Sequence, residues 1–402
     1  MAPRTFSTCA RQRLYTFARK LATPFSDSRR RRFLTDMIPG LVIANHVHLS
    51  KIARAIGHSI EDVHAAEKRL SRHLGSEHWD MSPLADRLLH DSAAMVGDDS
   101  LIVADLTDLA KYYAHKLEGL GRVHDGSDPD KRLAPGYALF EAYVRVRRWQ
   151  LFPLVIEPLK TYAGAPTSEN AEILEHVRAI HRATGGKGTW IIDRGFDRRN
   201  LFKSLVADGV AFVARLVGDR HVCPADGRLR AVTALAEEMK PRRWPRPWPP
   251  RGYTACCTVR LPEVSAEEFL LVVHWRWPHS ERPLLLLVSP QARQRGRTGR
   301  WFVKAYHRRW GVEDGTRGIK QQFALESFLV RSWRSIRRLL CLVGWAFWWL
   351  NLWGEERFTR LREALLRHRW RLPKGVTYLF DWIARMLHEL LHPRPKIPLE
   401  PG

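Results

Sequence analysis

From residue 101 to residue 216 the chain abandons helical periodicity for short apolar runs, and the order of those runs restricts the fold more than any other feature. Residues 101–105 are apolar and end in an acid, Asp105. Residues 137–147 and 151–156 read as alternating or apolar strands. Residues 169–184 have the spacing of an amphipathic helix closed by Gly185 and Gly186. A strand at 190–193, a helix at 197–208 and a strand at 210–216 follow. The resulting order, β-β-β-α-β-α-β, predicts an α/β core with acids ending its first and fourth strands. Ligand groups collect where strand ends meet in such a sheet, so Asp105 and Asp193 are candidates for a shared metal site. Taken singly, an Asp after a strand serves equally well as an N-cap or turn residue.

The sequence divides around this core into residues 1–95, 96–216, 217–298, 299–355 and 356–402. The first part reads as helical. Leu49, Ile52, Ala53 and Ile56 stand at helical spacing before Gly57; Ser59 and Asp62 then stand at capping-box spacing before Val63, Ala66, Leu70 and Leu74. Helix, glycine turn and second helix form a helix-turn-helix pattern, and Lys68, Arg69 and Arg72 on the second helix suit contact with nucleic-acid phosphates. An ordinary helical hairpin with a solvated basic face carries the same pattern. Residues 217–298 read as a mostly β insertion, with a Pro- and Trp-rich break at 241–250 and strands at 254–261, 269–275 and 284–288. Helical spacing resumes at Arg300.

Charge narrows the partners. There are 66 Lys plus Arg against 42 Asp plus Glu, a formal net charge of +24, and concentrations at 29–32, 293–300 and 331–338 point to a polyanion. The run 339–353 lacks charge but falls short of the roughly 18 residues that span a bilayer, so it reads as a buried helix, and no membrane partner is expected. Five scattered cysteines without a CxxC pair fit a reducing cytoplasm, and the N-terminus shows no secretory pattern.

The segment 306–320, YHRRWGVEDGTRGIK, carries the chemistry. At 100° per residue Tyr306, Arg309, Glu313 and Lys320 fall on one helical face, setting a carboxylate among a phenol, a guanidinium and an ammonium. A metal-binding acid flanked by phosphate-binding groups suits phosphoryl transfer on DNA. A solvated basic helix would look similar, but Gly311, Gly315 and Gly318 disfavour a continuous helix and would allow a DNA backbone to approach closely. His388, Glu389 and His392 match the HExxH pattern of zinc proteases. Only ten residues follow, with Glu400 the sole candidate for a third ligand, so an exposed terminal helix is the better reading.

The spacing Y-x2-R-x3-E-x6-K resembles the signature of bacterial insertion-sequence transposases of the IS-four type. LESFLVRS downstream, DRGFDR around Asp193 and ADLTD around Asp105 are similar to the corresponding motifs of that family. The resemblance implies a ribonuclease-H-like catalytic core, preceded by a helical DNA-binding domain and interrupted by the β insertion. It implies Asp105, Asp193 and Glu313 as catalytic and metal-binding triad, with two Mg²⁺ or Mn²⁺ ions per site. Tyr306, Arg309 and Lys320 would bind DNA phosphates. Trp244, Trp248, Trp275 and Trp277 offer planar surfaces on which a displaced base could stack, although packing of the insertion is the better reading for any one of them. The implied substrates are double-stranded element ends with inverted repeats and target DNA. A homodimer on DNA at the bacterial nucleoid, acting by cut-and-paste transposition, completes the expectation. The alternative is a non-catalytic, domesticated relative acting as a DNA-binding regulator.

Overall fold

The computed structural model describes residues 3–57, 60–114, 116–124, 130, 132–146, 150–245, 252–278, 280–309, 319–367, 388 and 391. Its centre is a mixed sheet. Strands β1 (Leu101–Ala110), β3 (Leu133–Arg145), β4 (Leu151–Pro158), β5 (Thr189–Ile192) and β6 (Phe212–Arg215) take the order β4-β3-β1-β5-β6. β1 is antiparallel to β3 and parallel to β5, and β5 is parallel to β6. This order forms the α/β core that the succession of apolar runs predicts, and it fits the ribonuclease-H-like core that the resemblance implies.

Two local differences matter. The short β2 (Gly121–His124) pairs with the first half of β3, on the edge that β4 occupies further along. β1 also does not stop at Asp105. It continues to Ala110 because β3 supplies backbone partners as far as the Ala110↔Gly136 pair, so Asp105 lies in the middle of the strand rather than at its end. Ladder hydrogen bonds carry the strand past Thr107 and Asp108, where the apolar pattern gives out.

The insertion extends this sheet. β7 (His221–Pro224), β8 (Arg230–Ala231), β9 (Tyr253–Leu261), β10 (Val264–Trp275) and β11 (Leu284–Val288) continue it in the order β6-β11-β10-β9-β7-β8. β11 pairs antiparallel with β6 through Leu286↔Arg215, Leu287↔Ala214 and Val288↔Val213.

Helices α6 (Glu169–Ala183) and α7 (Arg199–Ala207) cross between the parallel strands. His176 of α6 stacks on Phe140 at 5.2 Å, while Phe347 of α11 (Trp333–Arg367) meets Tyr143 at 6.3 Å. Residues 140 and 143 project to opposite faces of β3, so α6 and α11 cover opposite sides of the sheet. The uncharged run is the buried part of α11, with Leu342, Val343, Trp345, Ala346 and Phe347 fully enclosed. No helix among the described residues is long and apolar enough to cross a membrane.

The N-terminal helices α1 (Pro3–Ala22), α2 (Ser28–Ala44), α3 (Leu49–Ala55), α4 (Ile60–Gly75) and α5 (Ser82–Ala93) share one apolar core with the sheet and α11. Phe17 stacks on Trp348 at 5.6 Å. Arg338, 8% exposed, donates to the carbonyls of Leu74 and Ser76 at 2.8 Å, of His73 at 3.3 Å, and of Trp79. A guanidinium from α11 thereby satisfies orphan carbonyls at the C-terminus of α4. The two expected helices form as α3 and α4, with Gly57 at φ +87° between them; Ser59 of the expected capping box lies outside the described residues.

Candidate active site

The parallel register of β1 and β5 ends at Ala104↔Ile192, and the next residue on each strand is an acid, Asp105 and Asp193. Neighbouring strands lie about 4.8 Å apart, so the backbone positions of Asp105 and Asp193 are adjacent although 88 positions separate them in sequence. Asp105 accepts the Leu106 amide at 3.1 Å.

α10 (Gly299–His307) begins at the N-cap Thr298 and delivers two side chains to Asp193 as it ends. The Tyr306 hydroxyl donates to Asp193 Oδ1 at 2.8 Å, and Arg309 Nη2 lies 3.6 Å from Oδ2. The Arg309 guanidinium also sits 5.6 Å from the centre of the Tyr306 ring. Burial pushes the Asp193 carboxyl up, but Arg309, the Arg194 amide, the Tyr306 hydroxyl and Arg215 outweigh it and hold the group below the usual carboxylate range. Burial and the neighbouring Asp193 charge push the Tyr306 phenol up to about 12. Tyr306 therefore stays a hydrogen-bond donor and Asp193 stays ionised.

This geometry corrects the expectation of four residues on one helical face. The helix stops at His307, and Arg309 reaches Asp193 from the turn that follows. Tyr306 and Arg309 are 2% and 4% exposed, and both meet Asp193. Lys320 donates to the Asp108 carbonyl and lies 4.0 Å from its carboxylate, so it too is engaged within the protein. Glu313 lies outside the described residues.

The remaining candidates divide by exposure. Lys68 and Arg72 are exposed on α4, whereas Arg69 is tied to Asp36 of α2 at 2.7 Å. Trp275 is fully buried and cannot receive a base; Trp244 packs edge-on against it and against Tyr253. Both faces of β10 are covered here, since Leu271, Val272, Val273, His274 and Trp275 are all buried. Trp277 is 57% exposed beside Arg276, and Trp248 lies outside the described residues. His388 meets the Ile43 carbonyl at 2.7 Å, while Glu389 and His392 of the HExxH match lie outside the described residues.

Three residues were missed by sequence reasoning. Glu141 is the cross-strand partner of Asp105, is fully buried, and accepts the Tyr143 hydroxyl at 3.1 Å. A single acid inside the apolar strand pattern FEAYV is the signal that could have found it. Asp197, four residues after Asp193, has no exposed side-chain surface; it accepts the Val217 amide at 2.8 Å and pairs with Arg220 at 3.0 Å. Arg220 also pairs with Glu263 in the β9–β10 turn, so this buried group ties the insertion to the turn that carries Asp193. The third is Lys111, just past β1. Its ammonium donates to the carbonyls of Glu326 and Phe328 at 2.6 and 2.8 Å and lies 3.4 Å from the Phe328 ring centre.

Residues 164–349 match the transposase DDE domain. The matched stretch begins after β4 and contains Asp193, Tyr306, Arg309, Glu313 and Lys320, while Asp105 precedes it. Among solved structures, the piggyBac transposase synaptic complex with hairpin DNA overlays with a TM-score of 0.41 and 12% identity, covering 96% of this chain and 84% of that one. No curated protein matches the chain.

Carboxylate oxygens are hard donors of the type Mg²⁺ and Mn²⁺ prefer. Asp193 is held ionised beside Asp105, so two ligands of the expected set fit a divalent cation. Among the described residues no group of three His, Cys, Asp or Glu side chains gathers tightly enough to hold one.

Proposed function

We propose that this chain is a DNA transposase of the IS-four type that cuts element ends and joins them to target DNA. The carrying observation is that Asp105 and Asp193 occupy adjacent backbone positions one residue beyond the last parallel register pair, with Asp193 inside the stretch that matches the transposase DDE domain. Glu313 completes the acid triad in this reading, and Mg²⁺ or Mn²⁺ bound there would polarise the phosphodiester and supply an activated oxygen nucleophile.

The chain's own contribution is placement and charge. Tyr306 and Arg309 hold Asp193 ionised and fix its orientation, and β1 and β5 set its spacing from Asp105. The net charge of +24 favours the DNA polyanion, and exposed Lys68 and Arg72 on α4 offer phosphate contacts from the N-terminal helices. Trp277 beside Arg276 is the stacking surface left for a displaced base once Trp275 is seen to be buried. Inverted-repeat ends and target DNA are the substrates of this reading, and two copies of the chain would hold a pair of ends.

Changing Asp105, Asp193 or Glu313 to the corresponding amide removes a negative ligand with little change of shape. Strand cleavage of a duplex carrying the element end should fail in all three variants while DNA binding survives, and Asp314→Asn should still cut. Cleavage by Glu313→Gln at the wild-type rate in Mg²⁺ would remove the third ligand and the reading with it. A wild-type chain that binds the ends but never cuts them would instead be a regulator.

A further inference from the structure

Just past β1 the chain makes a tight turn that presents aromatic rings to solvent. The Ala114 amide donates to the Lys111 carbonyl at 3.0 Å, closing a four-residue turn with Tyr112 and Tyr113 at its two corner positions. Tyr113 is 96% exposed and Tyr112 is half-exposed. The foot of this turn is fixed. The Lys111 amide donates to the Pro135 carbonyl at 2.7 Å, and the buried Lys111 ammonium donates to the carbonyls of Glu326 and Phe328 over the Phe328 ring. Burial of an ammonium is costly, yet here it anchors a turn that leaves both tyrosines on the surface.

The stretch that Lys111 grips also projects an apolar side chain: Leu329, directly after Phe328, is 73% exposed. Residues 111–118 and 326–333 are joined again at their far end, where the Glu118 amide donates to the Arg331 carbonyl and Glu118 Oε2 accepts the Trp333 amide at 2.8 Å. Tyr112, Tyr113 and Leu329 lie between these two sets of contacts, so three of the seven large apolar side chains exposed among the described residues share one border. Single exposed apolar residues are ordinary, whereas a group of them with a polar rim marks a surface that meets something. The rim here includes exposed Lys116 and Arg331. Of the nearby acids, Glu118 is engaged by the Trp333 amide and Glu326 offsets the Lys111 charge. Aromatic rings held rigidly beside cations suit a partner that combines planar faces with negative charge.

We propose that Tyr113, with Tyr112 and Leu329 beside it, is a stacking platform for unpaired bases of bound DNA. The proposal rests on the reading of the chain as a DNA-binding transposase and adds a preference for DNA that is locally opened, because bases in an intact duplex have their faces covered by their neighbours. The platform belongs to the core, whereas Trp277 belongs to the insertion. Five strand residues separate Asp105 from Ala110, about 17 Å and so about half a helical turn of B-DNA. One bound DNA molecule can span both.

The test measures binding of the full chain, without divalent metal, to three fluorescein-labelled probes by anisotropy: a paired duplex, the same duplex interrupted by mismatched bases, and one free strand. Removing a stacked ring weakens binding of an unpaired strand by about 5- to 150-fold. Tyr113→Ala should lose that much on the interrupted duplex and the free strand while staying within about twofold of wild type on the paired duplex. Tyr113→Phe keeps the ring and should bind all three as wild type does. Tyr113 packs against almost nothing, so the melting temperature of both variants should equal that of wild type. Affinity of Tyr113→Ala for the unpaired probes within twofold of wild type would overturn the proposal, and so would an equal loss on the paired duplex, which is what a backbone contact gives. If the border instead receives a second copy of this chain, Tyr113→Ala lowers the mass seen by light scattering and leaves DNA affinity unchanged, and the proposal fails. A wild-type chain that binds none of the three probes removes the functional reading together with the proposal; a wild-type chain that binds and cuts DNA, with Tyr113→Ala its equal on every probe, removes the proposal alone.

Discussion

Tyr306→Phe isolates one interaction at Asp193. The substitution removes a single oxygen from a residue that is 2% exposed, so the ring stays packed. What disappears is the 2.8 Å bond to Asp193 Oδ1. Hydrogen bonds to a charged group contribute about 1.5–3 kcal/mol net, against about 1 kcal/mol for neutral pairs. The variant should therefore be about 1.5–3 kcal/mol less stable near pH 7.5, where Asp193 is ionised. The pH dependence gives the reasoning its sign. Asp193 is held below the usual carboxylate range, so its contribution is fully present above the unfolded carboxyl pKa of about 3.9 and is lost as pH falls through the folded value. The gap between wild type and Tyr306→Phe should consequently narrow towards about 1 kcal/mol or less in acid. Urea unfolding at a series of pH values, with the slope unchanged between the two proteins, measures it. A gap of constant size across the series would mean that Tyr306 stabilises by packing alone, and the account of how Asp193 stays ionised would be wrong.

His274, 6% exposed, is depressed from 6.5 to about 4 by burial, then by His307, with Arg300 adding to the effect. Because the folded value lies below the unfolded one, stability is complete above pH 6.5 and should fall by up to about 3 kcal/mol as pH drops towards 4, a slope that His274→Gln should lessen in the same urea series. Arg338→Met strips a donor from four carbonyls, two in the last turn of α4 and two in the loop after it, and should destabilise the chain by about 3 kcal/mol in denaturant unfolding. A fragment of residues 1–95 should give no cooperative thermal transition by circular dichroism, because its helices are buried against α11; a sharp transition would contradict the shared core. Asp197→Asn leaves Arg220 with Glu263 alone in a buried setting and should cost about 2 kcal/mol, read as a lowered urea midpoint.

The core was legible where hydrophobic periodicity is strong. The runs that became β3, β4, β5 and β6 were visible because strands buried on both faces must be apolar throughout. β2 was not visible: GRVH is too short and too polar to differ from a loop, and it exists because β3 offers an edge. The position of Asp105 within β1 was misread for the related reason that backbone pairing, invisible in composition, extends the strand. At the site, the acids and their neighbours were found by spacing, but the contact of Tyr306 with Asp193 spans 113 positions and no local pattern announces it. Charge was the least faithful guide. The run 293–300 suggested phosphate contacts, yet Arg295 donates to the Asp98 carbonyl at 2.7 Å, Arg297 pairs with Asp99 and Arg293 with Glu268. An arginine looks the same in a sequence whether it meets a nucleic acid or the protein's own carbonyls.

The junction of β11 with β6 bears on how such a chain could be shortened. A ribonuclease-H-like sheet cut back to its five core strands would end at β6 with the amides and carbonyls of Phe212–Arg215 unpaired along an apolar edge. Bare edges of that kind recruit strands from other molecules. The region 217–298 therefore acts as a selvage: it finishes the border of the sheet, and its last strand is woven into the core by three register pairs. Excising it to obtain a minimal catalytic fragment would expose that border, and the expected product is an aggregating protein rather than a smaller enzyme. A designer wishing to trim the molecule would have to keep β11 as the hem and close the gap behind it.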